Sequence, residues 1–148
     1  MSDRLLRLAL VVVSVAGIAV SAYLTYVHYK PAALICTTGG GCETVQHSKY
    51  AVLIGIPVAI FGLAAWIVAL ALTLWNSELA RTLTVALALA ALAFAAYLVI
   101  LQLFVIDATC IWCMANDVIL IPLFTVLALG RLWTAPGAPE TPEARTTS

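Results

Sequence analysis

The chemistry this chain offers is carried by four cysteines in two pairs. Cys36 and Cys42 enclose Thr-Thr-Gly-Gly-Gly, and Cys110-Ile-Trp-Cys113 is a C-x-x-C motif. Paired thiols exchange bridges: a thiolate attacks a disulfide sulfur, a mixed disulfide forms, and the bridge passes to another pair. The two-residue interval lets the sulfurs of Cys110 and Cys113 meet across one helical turn. So small a loop gains little from closure, which favours redox chemistry over stapling. Cys110 falls at or just before the N-terminus of an apolar helix, where free N–H groups and the helix dipole stabilise a thiolate. Cys113 falls one turn deeper, in apolar surroundings. Gly39, Gly40 and Gly41 give a hinge that lets Cys42 pair with Cys36 or swing toward Cys110. Four cysteines permit three connectivities, and spacing alone selects none of them. Two static disulfides are the plainer alternative. No metal is expected, because the Cys36–Cys42 interval is wider than the usual zinc-binding C-x2–4-C pair.

A disulfide at a membrane surface needs an electron source or sink, and the acceptor expected within reach of Cys113 is a quinone. Helix bundles build such sites between facing helices. Asp117 lies four residues after Cys113 and seven after Cys110, so all three share one helix face. An ionisable group inside a spanning segment is a functional candidate. Asp117 can hydrogen-bond a quinone carbonyl or exchange a proton with a hydroquinone; the alternative is a carboxylate reached by water at a helix N-terminus. Asn116 is the next polar candidate. Phe61, Trp66, Phe104 and Trp112 are aromatic candidates for the lining, with packing or lipid contact as the plainer reading of each. His28 and His47 read as solvated loop residues.

The elements that must position these residues follow from composition. The chain of 148 residues is 64% hydrophobic and 9% charged, against roughly 25% charged in a soluble domain. Leu8 to Val27, Ala51 to Trp75 and Thr82 to Ile106 carry no charge, and Ile111 to Gly130 carries only Asp117. Each meets the ~20 apolar residues that a spanning helix requires, and backbone pairing in lipid makes them helices. Arg4, Arg7, Arg81 and Arg131 flank one set of helix ends, against Lys30 and Lys49 at the other. Basic residues mark the cytoplasmic side, so both termini and the 76–81 turn are expected there. The 28–50 loop and the 107–110 turn, with every cysteine, face the other, usually oxidising side. Arg4 and Arg7 before an apolar run, with Val20-Ser21-Ala22, also fit a signal peptide, whose removal would leave every cysteine external. The zero net charge gives no electrostatic case for a nucleic-acid partner.

The predicted architecture is an all-α membrane protein, a four-transmembrane-helix bundle over residues 1–133, with helices at about 5–27, 51–75, 82–106 and 111–132. Glu43 to Tyr50 reads as a short helix over the bundle mouth. Gly55-Ile56-Pro57 and Pro122 read as bends in helices 2 and 4. Residues 134–148 read as a disordered cytoplasmic tail.

Taken in order, Cys36-x5-Cys42, Val45, Ser48-x-Tyr50-Ala51, Gly55-Ile56-Pro57-Val58-Ala59 and Cys110-x-x-Cys113 resemble the vitamin K epoxide reductase family, in its bacterial disulfide-forming branch. The resemblance covers about residues 8 to 130. It implies a bundle around ubiquinone or menaquinone in the bacterial inner membrane, with the loop cysteines as electron shuttle. By position, Cys36 would exchange with an extracytoplasmic thioredoxin-fold partner, Cys42 would pass electrons to Cys110, and Cys113 would face the quinone. The partner would then introduce disulfides into exported proteins. Many bacterial relatives carry a fused thioredoxin-like domain that this chain is too short to hold, so the partner is expected in trans. Vertebrate relatives have a tyrosine one turn after the second motif cysteine, where Asp117 stands here. That difference favours plain quinone reduction over reduction of vitamin K epoxide. The unrelated bundle of disulfide bond formation protein B has its C-x-x-C in the first external loop, the reverse of the order here. A disulfide-stapled structural or interaction protein, like the tetraspan scaffolds, is the rival from another class.

Overall fold

A computed structural model of the chain describes residues 2–33, 35–36 and 41–134. The tail beyond Thr134, and Gly39 and Gly40 of the expected hinge, lie outside the described residues. Among the described residues four helical spans are long and apolar enough to cross a membrane: Asp3–Tyr29, Val58–Trp75, Glu78–Val105 and Ile111–Trp133. The protein is an all-α, four-helix membrane bundle. In chain order the helices are α1 (Asp3–Tyr29), the short α2 (Gly41–Gln46), α3 (Val58–Trp75), α4 (Glu78–Ile100), α5 (Ile111–Met114) and α6 (Ile121–Trp133).

Polar caps set the helix starts. The Ser2 hydroxyl accepts the Leu5 N–H at the head of α1, and Ser77 accepts the Ala80 N–H at the head of α4, each satisfying a backbone donor that has no helical partner. The bundle core is formed by Leu10, Val13, Trp66, Ala69, Val85, Ala88, Phe124 and Ala128. Outward positions such as Leu8, Val12, Ile67 and Val126 are exposed and just as apolar, which suits a lipid surround rather than water. Gly17 makes room in α1 for the Trp66 ring: a Cβ there would lie 2.2 Å from it.

The second span starts at Val58 instead of continuing from Ala51. Val52–Leu53 pairs antiparallel with Ile56–Pro57, closing a small hairpin. Ile54 and Gly55 occupy its tip with φ of 56° and 80°, the two left-handed residues of a type I′ turn. Pro57 lacks an N–H and disfavours helical backbone at Ile56, so the expected bend is a hairpin ahead of the helix. Two further departures are wide turns with i→i+5 hydrogen bonds. Leu101–Val105 extends α4, with the Ile106 N–H donating to the Leu101 carbonyl at 2.8 Å. Ala115–Leu120 joins α5 to α6, with the Ile121 N–H donating to Asn116. Pro122, at the start of α6, has no N–H to continue a regular ladder, and the wide turn before it absorbs the defect.

One end of the bundle is ionic. Asp3 pairs with Arg131 at 3.2 Å and with Arg81 at 3.5 Å. Arg131 is buried and also donates to the Asn76 side chain. Arg7 donates to the Thr73 and Leu74 carbonyls, where cationic groups favour the C-terminus of α3. The cysteines lie at the opposite end, around the end of α1, α2 and the start of α5.

Candidate redox site

Cys110 is the N-cap of α5, and its backbone is held from both sides. Its N–H donates to Gln102 Oε1 at 2.9 Å, and its carbonyl accepts the Met114 N–H at 2.8 Å. Its sulfur accepts the Cys113 N–H at 3.5 Å. Cys110 and Cys113 are unbridged. The hydrogen bond from the Cys113 thiol, outweighing burial and helped by the Cys113 and Trp112 backbone N–H groups, holds the Cys110 pKa down at about 7. A thiol so placed is substantially ionised near neutral pH and is both nucleophile and leaving group.

Cys36 and Cys42 form a disulfide with Cα atoms 6.2 Å apart. Cys42 is fully buried in one apolar cluster with Leu24, Val45 and Cys110, against which Cys36 and Cys113 also pack. The close fit depends on Gly41, because a Cβ there would lie 2.5 Å from the carbonyl oxygen of Thr109, the residue before Cys110. The Cys36–Cys42 pair and the C-x-x-C pair are therefore packed on each other.

Behind Cys113 lies a cavity of about 350 Å³ between α1, α3, α4 and the 111–133 span. Its walls are largely apolar, including Phe61, Ala65, Ala91, Phe94 and Leu98, and its polar lining includes Ser21, Gln46, Gln102, Asn116 and Asp117 beside Cys113. Asp117 is buried. Its carboxylate accepts from the Asn116 amide at 3.0 Å, and Asn116 in turn accepts the Trp66 indole N–H at 3.0 Å. Trp66 is fixed by Phe124, edge to face with centroids 5.4 Å apart.

Five of the expected site residues thus meet at one cavity: Cys113, Asn116, Asp117, Phe61 and Trp66. Trp112 is not part of that lining. Its indole N–H donates to the Ile35 carbonyl at 2.8 Å and its ring packs edge-on against Tyr23, so it ties the chain beside Cys36 to the motif. Phe104 points outward, 80% exposed. His47 is exposed, as expected, whereas His28 is partly buried in the last turn of α1, with its ring stacked on that of His47 at 6.2 Å between centroids. Gln102 is the residue that spacing and motif do not single out, and Gly41, expected as part of a hinge, serves instead as a point of close approach. The available signal for Gln102 is a polar side chain within an apolar span. Among the described residues no three His, Cys, Asp or Glu side chains group closely enough to hold a metal ion.

Compared with known families, residues 8–128 match the model of the vitamin K epoxide reductase family.

Proposed function

The chain belongs to the vitamin K epoxide reductase family, and on that premise we propose that it oxidises an extracytoplasmic thioredoxin-fold protein in trans and delivers the electrons to ubiquinone or menaquinone. Family membership makes it an integral membrane oxidoreductase of disulfides and quinones. The observation that carries the finer reading is the two-sided placement of the C-x-x-C pair: Cys110 packs with Cys42, and Cys113 lines the apolar cavity.

In the proposed cycle a partner thiolate attacks Cys36, the Cys36–Cys42 bridge opens and Cys42 leaves as thiolate. The second partner thiol resolves the mixed disulfide and the partner departs oxidised. Cys42 then attacks Cys110 of a Cys110–Cys113 bridge, and Cys113 leaves. Cys36 closes on Cys42, expelling Cys110, so the outer bridge is restored and the inner pair is reduced. The bridged outer pair and unbridged inner pair correspond to this state. A quinone in the cavity would supply the acceptor for the two electrons and two protons of the inner dithiol. The cavity's volume, its apolar walls and the polar groups beside Cys113 fit a quinone head group. Asp117, steadied through Asn116 and Trp66, is the group offered for proton exchange.

Purified protein supplied with a reduced thioredoxin-fold partner and quinone tests the reading. Cys110→Ala and Cys113→Ala are each expected to abolish quinone reduction. Undiminished turnover in either variant would overturn it.

A further inference from the structure

Gln102 is a buried polar residue inside a membrane-spanning helix. In such a place a side-chain amide is costly unless it is hydrogen-bonded. Its oxygen accepts the N–H of Cys110, eight residues along the chain, at 2.9 Å. Its backbone carbonyl accepts the Ala108 N–H at 3.1 Å. One residue thus ties down both ends of the turn that presents Cys110. Just before these two anchor points Asp107 adopts a left-handed φ of 52°, and the turn reverses the chain into α5. The wide turn Leu101–Val105 carries Gln102 at the end of α4, before that reversal.

Cys110 needs this support. An N-cap residue has non-helical backbone, and its own N–H has no helical acceptor. In water a solvent molecule would serve; in this buried cluster the acceptor is Gln102 Oε1. Without an acceptor, the cheapest relief is for the 107–110 turn to rotate the Cys110 N–H toward solvent. That movement also carries the sulfur away from the Cys113 N–H and from the helix end that stabilises its thiolate.

We infer that Gln102 is a positioning residue for the redox reaction, holding Cys110 at the head of α5 so that its sulfur stays a stabilised thiolate facing the shuttle pair. The inference rests on the redox reading of the C-x-x-C pair, but it needs neither quinone nor partner. Because Gln102 also lines the cavity that Cys113 lines, the same side chain joins the acceptor side of the motif to its shuttle side.

The test is the thiol–disulfide equilibrium of the Cys110–Cys113 pair in the full-length protein, read site by site by mass spectrometry across glutathione redox buffers. A stabilised thiolate favours the reduced pair. That advantage is largest above the Cys110 pKa of about 7 and vanishes below it. Gln102→Met keeps the length and removes the acceptor. At pH 8 its inner pair is expected to be about fivefold to tenfold easier to oxidise than the parent's, since one pH unit beyond a thiol pKa changes the thiolate-to-thiol ratio about tenfold. At pH 6 the two proteins are expected to converge. Gln102→Leu serves if Gln102→Met does not assemble. No difference at pH 8, or an equal difference at both pH values, overturns the inference. A bundle that assembles in neither variant makes Gln102 structural and overturns it as well. Since no quinone or protein partner takes part, failure here is distinguishable from failure of the proposed quinone reaction.

Discussion

At Cys110 and Asp117 the same few residues of helix serve two different purposes. Cys110 is stabilised as a thiolate by donors from its own helix end, whereas Asp117 is enclosed by the cavity and held by a single amide. Asp117→Asn keeps the shape and an oxygen that accepts from Asn116, and it removes the exchangeable proton. If Asp117 exchanges protons with the acceptor, turnover with quinone falls about a hundredfold, at the low end of general acid–base contributions, with the thermal midpoint unchanged. Quinone reduction at the parental rate would reduce Asp117 to a polar wall. Asp117 and Asn116 are legible in the sequence as polar residues next to a C-x-x-C motif in an apolar run. Gln102 carries the same signal, but its partner lies across a turn whose geometry depends on wide helical winding that periodicity does not report. Trp112 misleads for a related reason. An aromatic side chain at the first turn of a helix can point into a bundle or back over the incoming loop, and here the Ile35 carbonyl captures its N–H.

At the scale of elements, hydropathy defines four spans but not what happens at their ends. Val52 to Pro57 is as apolar as the helix that follows, so its hairpin is invisible to an apolar count. Its signal lies in the backbone preferences of Gly55 and Pro57. The three glycines before Cys42 read as a hinge, yet Gly41 opens α2, and what requires glycine there is the Thr109 carbonyl. Gly41→Ala forces α2 away from the 107–110 turn by a displacement that neither backbone absorbs locally. Transfer from Cys42 to Cys110 demands in-line approach of sulfurs, and misplacement by about 1 Å can cost on the order of a hundredfold. Turnover driven by the protein partner through the shuttle pair is therefore expected to drop at least about tenfold in Gly41→Ala. Turnover driven by a small dithiol that reduces the inner pair directly should stay near the parental value. Equal losses with both donors would mean that the substitution damages the inner site rather than the junction between the pairs.

The whole molecule has two chemically unlike ends. Arg7, Arg81 and Arg131 gather around Asp3 and the C-terminus of α3, while the cysteines and the cavity's polar lining lie toward the other end. The ionic end does two jobs. It closes the bundle where the first and last spanning helices meet α3, and it carries the positive charge that resists translocation. Lys30 and Lys49 at the cysteine end are outnumbered by Arg4, Arg7, Arg81 and Arg131, and from this balance we propose that the cysteines face away from the cytoplasm. On that side disulfides persist, as the proposed oxidation of a dithiol partner requires. The charge bias is readable from the order of residues alone. The convergence of Asp3, Arg81 and Arg131 from three helices is not, since it depends on which helix ends pack together. Reporter fusions check the orientation. Alkaline phosphatase, active only outside the cytoplasm, is expected to be active when fused after Ser48 and inactive when fused after Thr134. A fluorescent protein that folds only in the cytoplasm should give the opposite pattern. The reverse result would put the shuttle pair on the reducing side, where reductants would keep Cys36 and Cys42 open and the proposed direction of electron flow would fail.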